Sequence, residues 1–355
     1  MLLKLASDID KNKWNSFTSG HPQVSPYHHF AWKSSIEKAY GHQCFYLIVE
    51  DANKEIIGVL PTVAIKPPFI KGKLCALPFC DYGACLAADE SVESMLINKA
   101  MEITSQNKLS IFEYRACQAL PTDDNDLDSP SGKQKVRMLL ELPESSEILF
   151  GGFKAKLRSQ IRRAIKNGLS AELGRSDKLI DEFYDVFTCN MKDLGSPTHS
   201  KKWFSEIKDN YKEDMVISII RHNGLPVGAG IVLFNGSVAS IPWASTRRKF
   251  NPLAPNMLLY WSLLEYAADN GYKTFDFGRS TYDEGTYKFK KQWGAKPLLL
   301  KWKEFRDADQ VDIQSDASSA SSNGKLRPLV ETVWKRIPLF LTIAIGPRIR
   351  KYISL

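Results

Sequence analysis

Six cysteines are scattered through the 355 residues without a single Cys-x-x-Cys pair; Cys75, Cys80 and Cys85 fall five apart with no histidine at ligand spacing. That arrangement argues against a zinc site and a disulfide framework, and predicts free thiols in a reducing cytosol. The histidines carry no motif, and no Ser-His-Asp or Cys-His arrangement is present; His28-His29 is expected to cap or pack. No run approaches the roughly 18 apolar residues needed to cross a bilayer. The start, Met1-Leu-Leu-Lys-Leu-Ala-Ser-Asp8, lacks the charged and then apolar layout of a signal peptide, which places the expected location in the cytoplasm.

What is present is ordinary globular composition with a basic excess. Hydrophobic residues make up 43% and charged ones 25%, so the chain is neither disordered nor fibrous. Its length allows two domains with separate cores. The net charge of +8 implies an anionic partner, whether phosphate in a substrate, nucleic acid or an acidic membrane surface.

One pattern of elements occurs twice. A helix over residues 32–40 precedes two antiparallel strands over 45–50 and 56–65, a glycine-bounded loop at 77–83, a helix over 91–107 and a strand over 111–115. Later, a helix near 181–191 precedes strands over 215–220 and 227–234, a basic loop at 246–249, a helix over 256–270 and a strand ending Phe275-Asp-Phe-Gly-Arg279. Gly58 and Gly228 fall at matching places in the two hairpins. The fold class is therefore mixed α/β (α+β), in two tandem copies of one domain. The expected domains are residues 1–148 and 149–306, with an acidic breaker-rich loop at 123–132 inside the first.

A helix from Phe153 places Phe153, Leu157, Ile161, Ile165 and Leu169 on one face, and Lys154, Lys156, Arg158, Arg162, Arg163 and Lys166 on the other. The basic face is either solvated or in contact with phosphates. No nucleic-acid reading motif accompanies it. Residues 307–325 are acidic and Ser-rich, as a flexible linker would be. Residues 326–355 hold six Lys or Arg against one Glu, with Trp334 and several apolar residues between them. Such a basic, amphipathic tail either lies in an anionic membrane interface or folds back over the body.

The chain is organised around residues 273–294. Phe275 and Phe277 alternate around Asp276, the strand stops at Gly278, and Arg279, Ser280 and Thr281 turn towards Gly285. A helical turn then carries Tyr287, Phe289, Lys290 and Trp293, and Gly294 ends it. Asp276 is either a proton acceptor for an attacking amine or a structural partner of Arg279. Arg279 and Tyr287 flank the loop as substrate contacts. Asp81 and Tyr82, in the first glycine-bounded loop, either line the same cleft or pack in a tight turn.

Several segments resemble the FemAB-related branch of the GNAT-like acyltransferases, most closely the group associated with exopolysaccharide and PEP-CTERM sorting clusters in Gram-negative bacteria. The resemblance is carried by Phe275-Asp-Phe-Gly-Arg-Ser280, Gly285-Thr-Tyr-Lys-Phe-Lys-Lys-Gln-Trp-Gly294, Leu157-Arg-Ser-Gln-Ile-Arg-Arg-Ala-Ile-Lys-Asn-Gly168, Asn190-Met-Lys-Asp-Leu-Gly-Ser-Pro197, Pro26-Tyr-His-His-Phe-Ala-Trp32 and Trp334-Lys-Arg-Ile-Pro338. It implies two tandem GNAT-like domains that transfer an acyl or aminoacyl group to an amine of a saccharide or cell-envelope precursor, at the cytoplasmic face of the membrane. By similarity, Phe289-Lys290 matches an element whose lysine stabilises the oxyanion, and Lys192 falls where relatives meet substrate phosphate.

The Arg/Gln-x-x-Gly-x-Gly/Ala loop of ordinary GNAT enzymes is missing; Arg247, Arg248 and Lys249 stand in its place, where they could receive a phosphate at a helix end. No heptad run marks the coiled-coil arm of some tRNA-using relatives. The implied co-substrate is acyl-CoA or aminoacyl-tRNA, with a small-molecule or lipid-linked acceptor and no metal or tightly bound cofactor. The competing readings are a CoA-dependent N- or O-acyltransferase of exopolysaccharide and a GNAT-like recruitment module without activity.

Overall fold

The computed structural model describes residues 1–118, 134–306 and 327–355; the acidic loop expected at 123–132 and the linker expected at 307–325 lie outside them. The first half runs β1 (Leu2–Leu5), α1 (Lys11–Gly20), α2 (Phe30–Tyr40), β2 (Gln43–Glu50), β3 (Ile56–Ile65), β4 (Lys73–Ala76), β5 (Leu86–Ala87), α3 (Glu90–Gln106), β6 (Phe112–Gln118) and β7 (Lys135–Glu141). The second half follows as α4 (Ser146–Gly152), α5 (Ala155–Lys166), β8 (Leu169–Gly174), α6 (Asp177–Leu194), α7 (Lys201–Tyr211), β9 (Met215–His222), β10 (Leu225–Asn235), β11 (Val238–Thr246), α8 (Pro255–Asp269), β12 (Thr274–Thr281), α9 (Gly285–Lys291) and β13 (Lys296–Phe305). Two further helices, α10 (Arg327–Arg336) and α11 (Leu339–Arg350), form the tail.

All strands join one sheet in the order β1-β2-β3-β4-β6-β13-β7-β12-β11-β10-β9-β8, with β5 beside β3. The halves exchange their last strands. β13 pairs with β6 of the first half, β7 pairs with β12 of the second, and β7 and β13 pair with each other at the centre. A cut near residue 148 therefore divides the chain without dividing the sheet.

Three apolar clusters follow from this plan. α3 covers the first half through Val92, Leu96 and Ala100, while α5 and α8 cover the second through Leu157, Ile161, Leu259 and Leu263. On the opposite face α1 and α2 meet α6 and α7, burying Trp14, Trp32, Phe183, Trp203 and Trp243 in a core that both halves share. Trp32 meets Trp203 edge-on at 5.2 Å, and Tyr40 stacks on Trp203 at the same distance. Offset and edge-on aromatic pairs of this kind add to the apolar burial that joins the halves. Close helix approach also explains the glycines: a Cβ at Gly58 would sit 2.3 Å from Val92, and the counterpart under α8 is Gly230, facing Leu259 and Leu263, two residues beyond the Gly228 expected from sequence.

Three further expectations change. The strand does not stop at Gly278. β12 continues to Thr281, and its register against β7 slips between Asp276 and Arg279, so that two residues oppose one at a bulge where Gly278 takes φ +71°. Helix α5 begins after Phe153, and its buried face is Leu157, Ile161 and Ala164, with Ile165 53% exposed. A four-residue stride drifts around a helix of 3.6 residues per turn, which rotates Ile165 off the face. The tail, finally, packs on the body, α10 and α11 both lying against α6. Among the described residues no helix is long and apolar enough to cross a membrane. All six cysteines are free, and His29 caps α2 by accepting the Ala31 N–H.

Candidate active site

β11 and β12 are parallel neighbours over only three residue pairs, ending at Ser240 opposite Asp276. Beyond that point β11 stays with β10 and β12 stays with β7, so the two strands are no longer paired with each other and splay apart. The first half repeats the arrangement, since β4 and β6 are parallel only from Leu74 opposite Phe112 to Cys75 opposite Glu113. The likeness reaches single atoms: the Ser240 hydroxyl donates to Asp276 at 3.1 Å, and the Cys75 thiol to Glu113 at 3.3 Å.

At the apex of the second splay Asp276 is 2% exposed and fully engaged. One carboxylate oxygen accepts from Arg137 Nε at 2.9 Å and from Ser240; the other accepts the Gly278 N–H at 2.8 Å. Its ion-pair partner is thus Arg137 on β7, where the sequence had suggested Arg279. The strand exchange accounts for this, because it brings a first-half strand alongside β12. The Arg137 guanidinium also lies over the Tyr82 ring at 4.6 Å.

Arg279 is held instead by Asp81, whose carboxylate accepts the Arg279 N–H at 3.1 Å and lies 3.4 Å from its Nε. Trp302 of β13 donates its indole N–H to the Asp81 carbonyl at 3.1 Å, which ties the loop to the exchanged strand. Asp81, Tyr82, Arg137, Asp276, Arg279 and Lys290 accordingly form one connected group drawn from both halves.

Lys290 sits on the inner side of α9 and is 7% exposed, whereas Lys291 takes the outer position. Its ammonium donates to the carbonyls of Gly278 at 3.1 Å and Arg279 at 2.6 Å. Two of its three protons are thereby placed, leaving one to donate elsewhere. Burial lowers its pKa to about 8; Asp81 and Asp276 oppose that shift and Arg279 adds to it. The bulge at Gly278 aims both carbonyls at the lysine. Phe289 is half-buried against Tyr260 and Trp293, and Tyr287 is buried beside Tyr282 with the Lys291 ammonium over its ring.

The remaining candidates stand on the other arm of the splay. Arg247, just past the end of β11, donates to the Pro226 carbonyl at 2.9 Å and pairs with Asp185 of α6. Lys192 and Arg247 both act on the Cys189 thiol, whose pKa burial raises and these cations hold back. Arg248 and Lys249 are exposed in a 3-10 turn before α8, whose N-terminus has no side-chain cap. Because β11 and β12 run parallel, Arg247 leaves the sheet at the same end as Thr281. No hydrogen bond or ion pair among the described residues joins this group to Lys290, and no cluster there has a metal-holding donor set.

Arg137 and Ser240 are absent from the sequence reading. Arg137 did leave a signal, as the one charge among Val136, Met138, Leu139 and Leu140, but its partner lies 139 residues away on a strand of the other half.

Residues 152–291 match the acetyltransferase (GNAT) domain family. The lipid II:glycine glycyltransferase of Staphylococcus haemolyticus is 25% identical over 91 residues, covering 23% of this chain and 22% of that one; that of Staphylococcus epidermidis is 23% identical over 137 residues, covering 37% and 32%. The chain thus spans between a fifth and a third of the length of these curated relatives. Among solved structures, FemX superimposes with a TM-score of 0.64 at 14% identity, over 84% of this chain and 97% of its own. A tandem GNAT protein from the clavulanic acid biosynthesis pathway gives 0.52 at 11% identity, over 87% and 100%, and bears out the tandem GNAT-like fold. Residues 152–291 thus carry a GNAT domain, and over most of its length the chain shares the fold of FemX.

Proposed function

We propose that the chain moves an acyl or aminoacyl group onto an amine of a saccharide or cell-envelope precursor, in exopolysaccharide or peptidoglycan synthesis, at the inner face of the cytoplasmic membrane. The observation that carries this reading is the buried Lys290 ammonium, held by two carbonyls with one proton left over beside a splayed strand pair. When the amine attacks the acyl carbonyl, a C–N bond forms and negative charge gathers on the carbonyl oxygen. The spare Lys290 proton is placed to meet that oxygen in a site with little water, where a fixed donor acts more strongly than it would in solvent. Collapse breaks the C–S or C–O bond, and the proton from the amine leaves with the thiol or hydroxyl. Asp81 fixes Arg279, and Arg137 fixes Asp276, so the carbonyls under Lys290 need no reorganisation during the step.

The donor is an acyl-CoA or an aminoacyl-tRNA, its phosphates meeting Arg248 and Lys249 ahead of the uncapped end of α8. Arg247, committed to Asp185, contributes less. The outward side of the tail supports contact with an anionic membrane: Phe340, Leu341, Ile345 and Ile349 are 69%, 38%, 41% and 41% exposed, with Lys335, Arg336 and Arg348 also exposed around them.

The test is transfer by the full chain from both donor classes to amine-bearing lipid-linked and nucleotide-linked saccharides. Lys290→Met is expected to keep the wild-type melting temperature and lose about 10²- to 10³-fold in kcat/KM, as loss of a single oxyanion donor does. Wild-type turnover by that variant would remove the mechanism.

A further inference from the structure

The tail is fastened to the body at the rim of the candidate site. His42 Nε2 bonds the Lys351 carbonyl at 2.7 Å, and the Phe79 N–H donates to the Ser354 carbonyl at 2.6 Å. Arg115 donates to the same carbonyl at 3.1 Å and to the Ser354 hydroxyl at 2.9 Å. Gly346 presses on Thr198 so closely that a Cβ would come within 3.0 Å of its backbone nitrogen. Phe79 lies two residues before Asp81, so the loop that holds Arg279 is itself held by the end of the chain.

This fastening turns one basic residue of α11 inward. Arg348 faces solvent, but Arg350 is half-buried, its guanidinium 5.6 Å from the centre of the Phe79 ring and bonded to the Ile353 carbonyl. The neighbouring cations have carboxylates: Arg115 has Glu113, Arg137 has Asp276 and Arg279 has Asp81. Among the described residues no carboxylate forms an ion pair with Arg350. Burial lowers its pKa to about 10; the Tyr40 hydroxyl opposes this, and the charges of Arg115 and Arg279 add to it. Tyr40 is no counter-ion near neutral pH, since burial pushes its own pKa up. A guanidinium does not shed its proton to escape such a position, so what the site lacks is an anion.

We propose that the C-terminal helix is part of the substrate site and that Arg350, against the Phe79 end of the loop that holds Arg279, receives a phosphoryl group of the acceptor, a phosphate or pyrophosphate. The planar fork of arginine suits two such oxygens at once. The inference rests on the proposed transfer only for calling the ligand an acceptor. The same chemistry is offered by a soluble nucleotide-linked saccharide and by a polyprenyl-linked one.

The experiment is calorimetric titration of the full-length protein with inorganic pyrophosphate, for wild type, Arg350→Ala, Arg350→Lys and Lys99→Ala, a surface control on α3. Wild type and the control are expected to bind with equal, salt-sensitive affinity. Arg350→Ala should weaken binding at least tenfold and Arg350→Lys by an intermediate factor, because lysine keeps the charge and loses the fork. Melting curves without ligand check that each variant is folded; if the alanine variant is not, the lysine variant supplies the readout.

A nucleoside-diphosphate sugar in solution and a polyprenyl diphosphate in phosphatidylcholine vesicles are then compared. Arg350-dependent binding in either arm supports the proposal and identifies the source. Wild-type affinity in the folded Arg350 variants, or no pyrophosphate binding by the wild type, overturns it. Binding is read without turnover, so a transferase-inactive protein that still needs Arg350 for pyrophosphate would remove the proposed reaction alone.

Discussion

Lys290 and Asp276 lie fourteen residues apart in sequence and are buried in opposite chemical circumstances. Lys290 has carbonyls for company and a pKa lowered to about 8 from 10.5. Between those two values the unfolded chain binds more protons at this residue than the folded one, so its contribution to stability rises with pH across that window. Transfer should move the other way, since only the ammonium can meet an oxyanion. A profile of kcat/KM against pH is expected to fall above about pH 8, and a flat profile from pH 7 to 10 would contradict the role given to Lys290.

Asp276 is the countercharge of a buried arginine. Removing it strands Arg137, for which the cost is about 3–5 kcal/mol. Urea unfolding of Asp276→Ala should show a loss of that order; full stability with lost activity would make Asp276 a base instead. From the sequence, both residues were visible as candidates. Which of them carries a buried ion-pair partner was not, because that partner is on another strand of another half.

At the level of elements, local chemistry was readable and long-range pairing was not. The helix over Asp177–Leu194 ends in Gly195 at φ +77°, and Asn223-Gly224 turns one hairpin with both residues at positive φ, as turn chemistry leads one to expect. β12 defeated the reading because glycine signals both a strand end and a bulge, and only the position of β7 distinguishes them. The tail posed a similar problem. Its composition suits a membrane interface, yet Trp334, Thr342 and Ser354 are buried against the body while Phe340 and Ile345 are not. One apolar, basic segment thus has two differently used sides, which composition alone does not separate.

At the scale of the whole molecule, the tandem repeat was legible because it returns in order: hairpin, loop, helix, strand. The exchange of last strands was not, since β7 and β13 both mix apolar and charged residues, with nothing local to say which sheet they complete. Its consequence can be tested by division. Residues 1–148 alone leave β6 without β13 and β7 without either neighbour, and open the aromatic core between α2 and α7. Neither 1–148 nor 149–355 is expected to show a cooperative calorimetric transition, while the two pieces co-expressed should melt together. A sharp transition from the first piece alone would show that the exchanged strand is dispensable.

The exchange also sets a timetable for synthesis. β6 ends at Gln118 and its partner begins at Lys296, so at ribosomal speeds of roughly 5–20 residues per second the open edge waits roughly ten to forty seconds for completion. During that interval the nascent chain presents an unpaired strand to every neighbour on the polysome. Yield should therefore depend on how fast the message is read and on whether a chaperone shields that edge, even where the finished protein is stable.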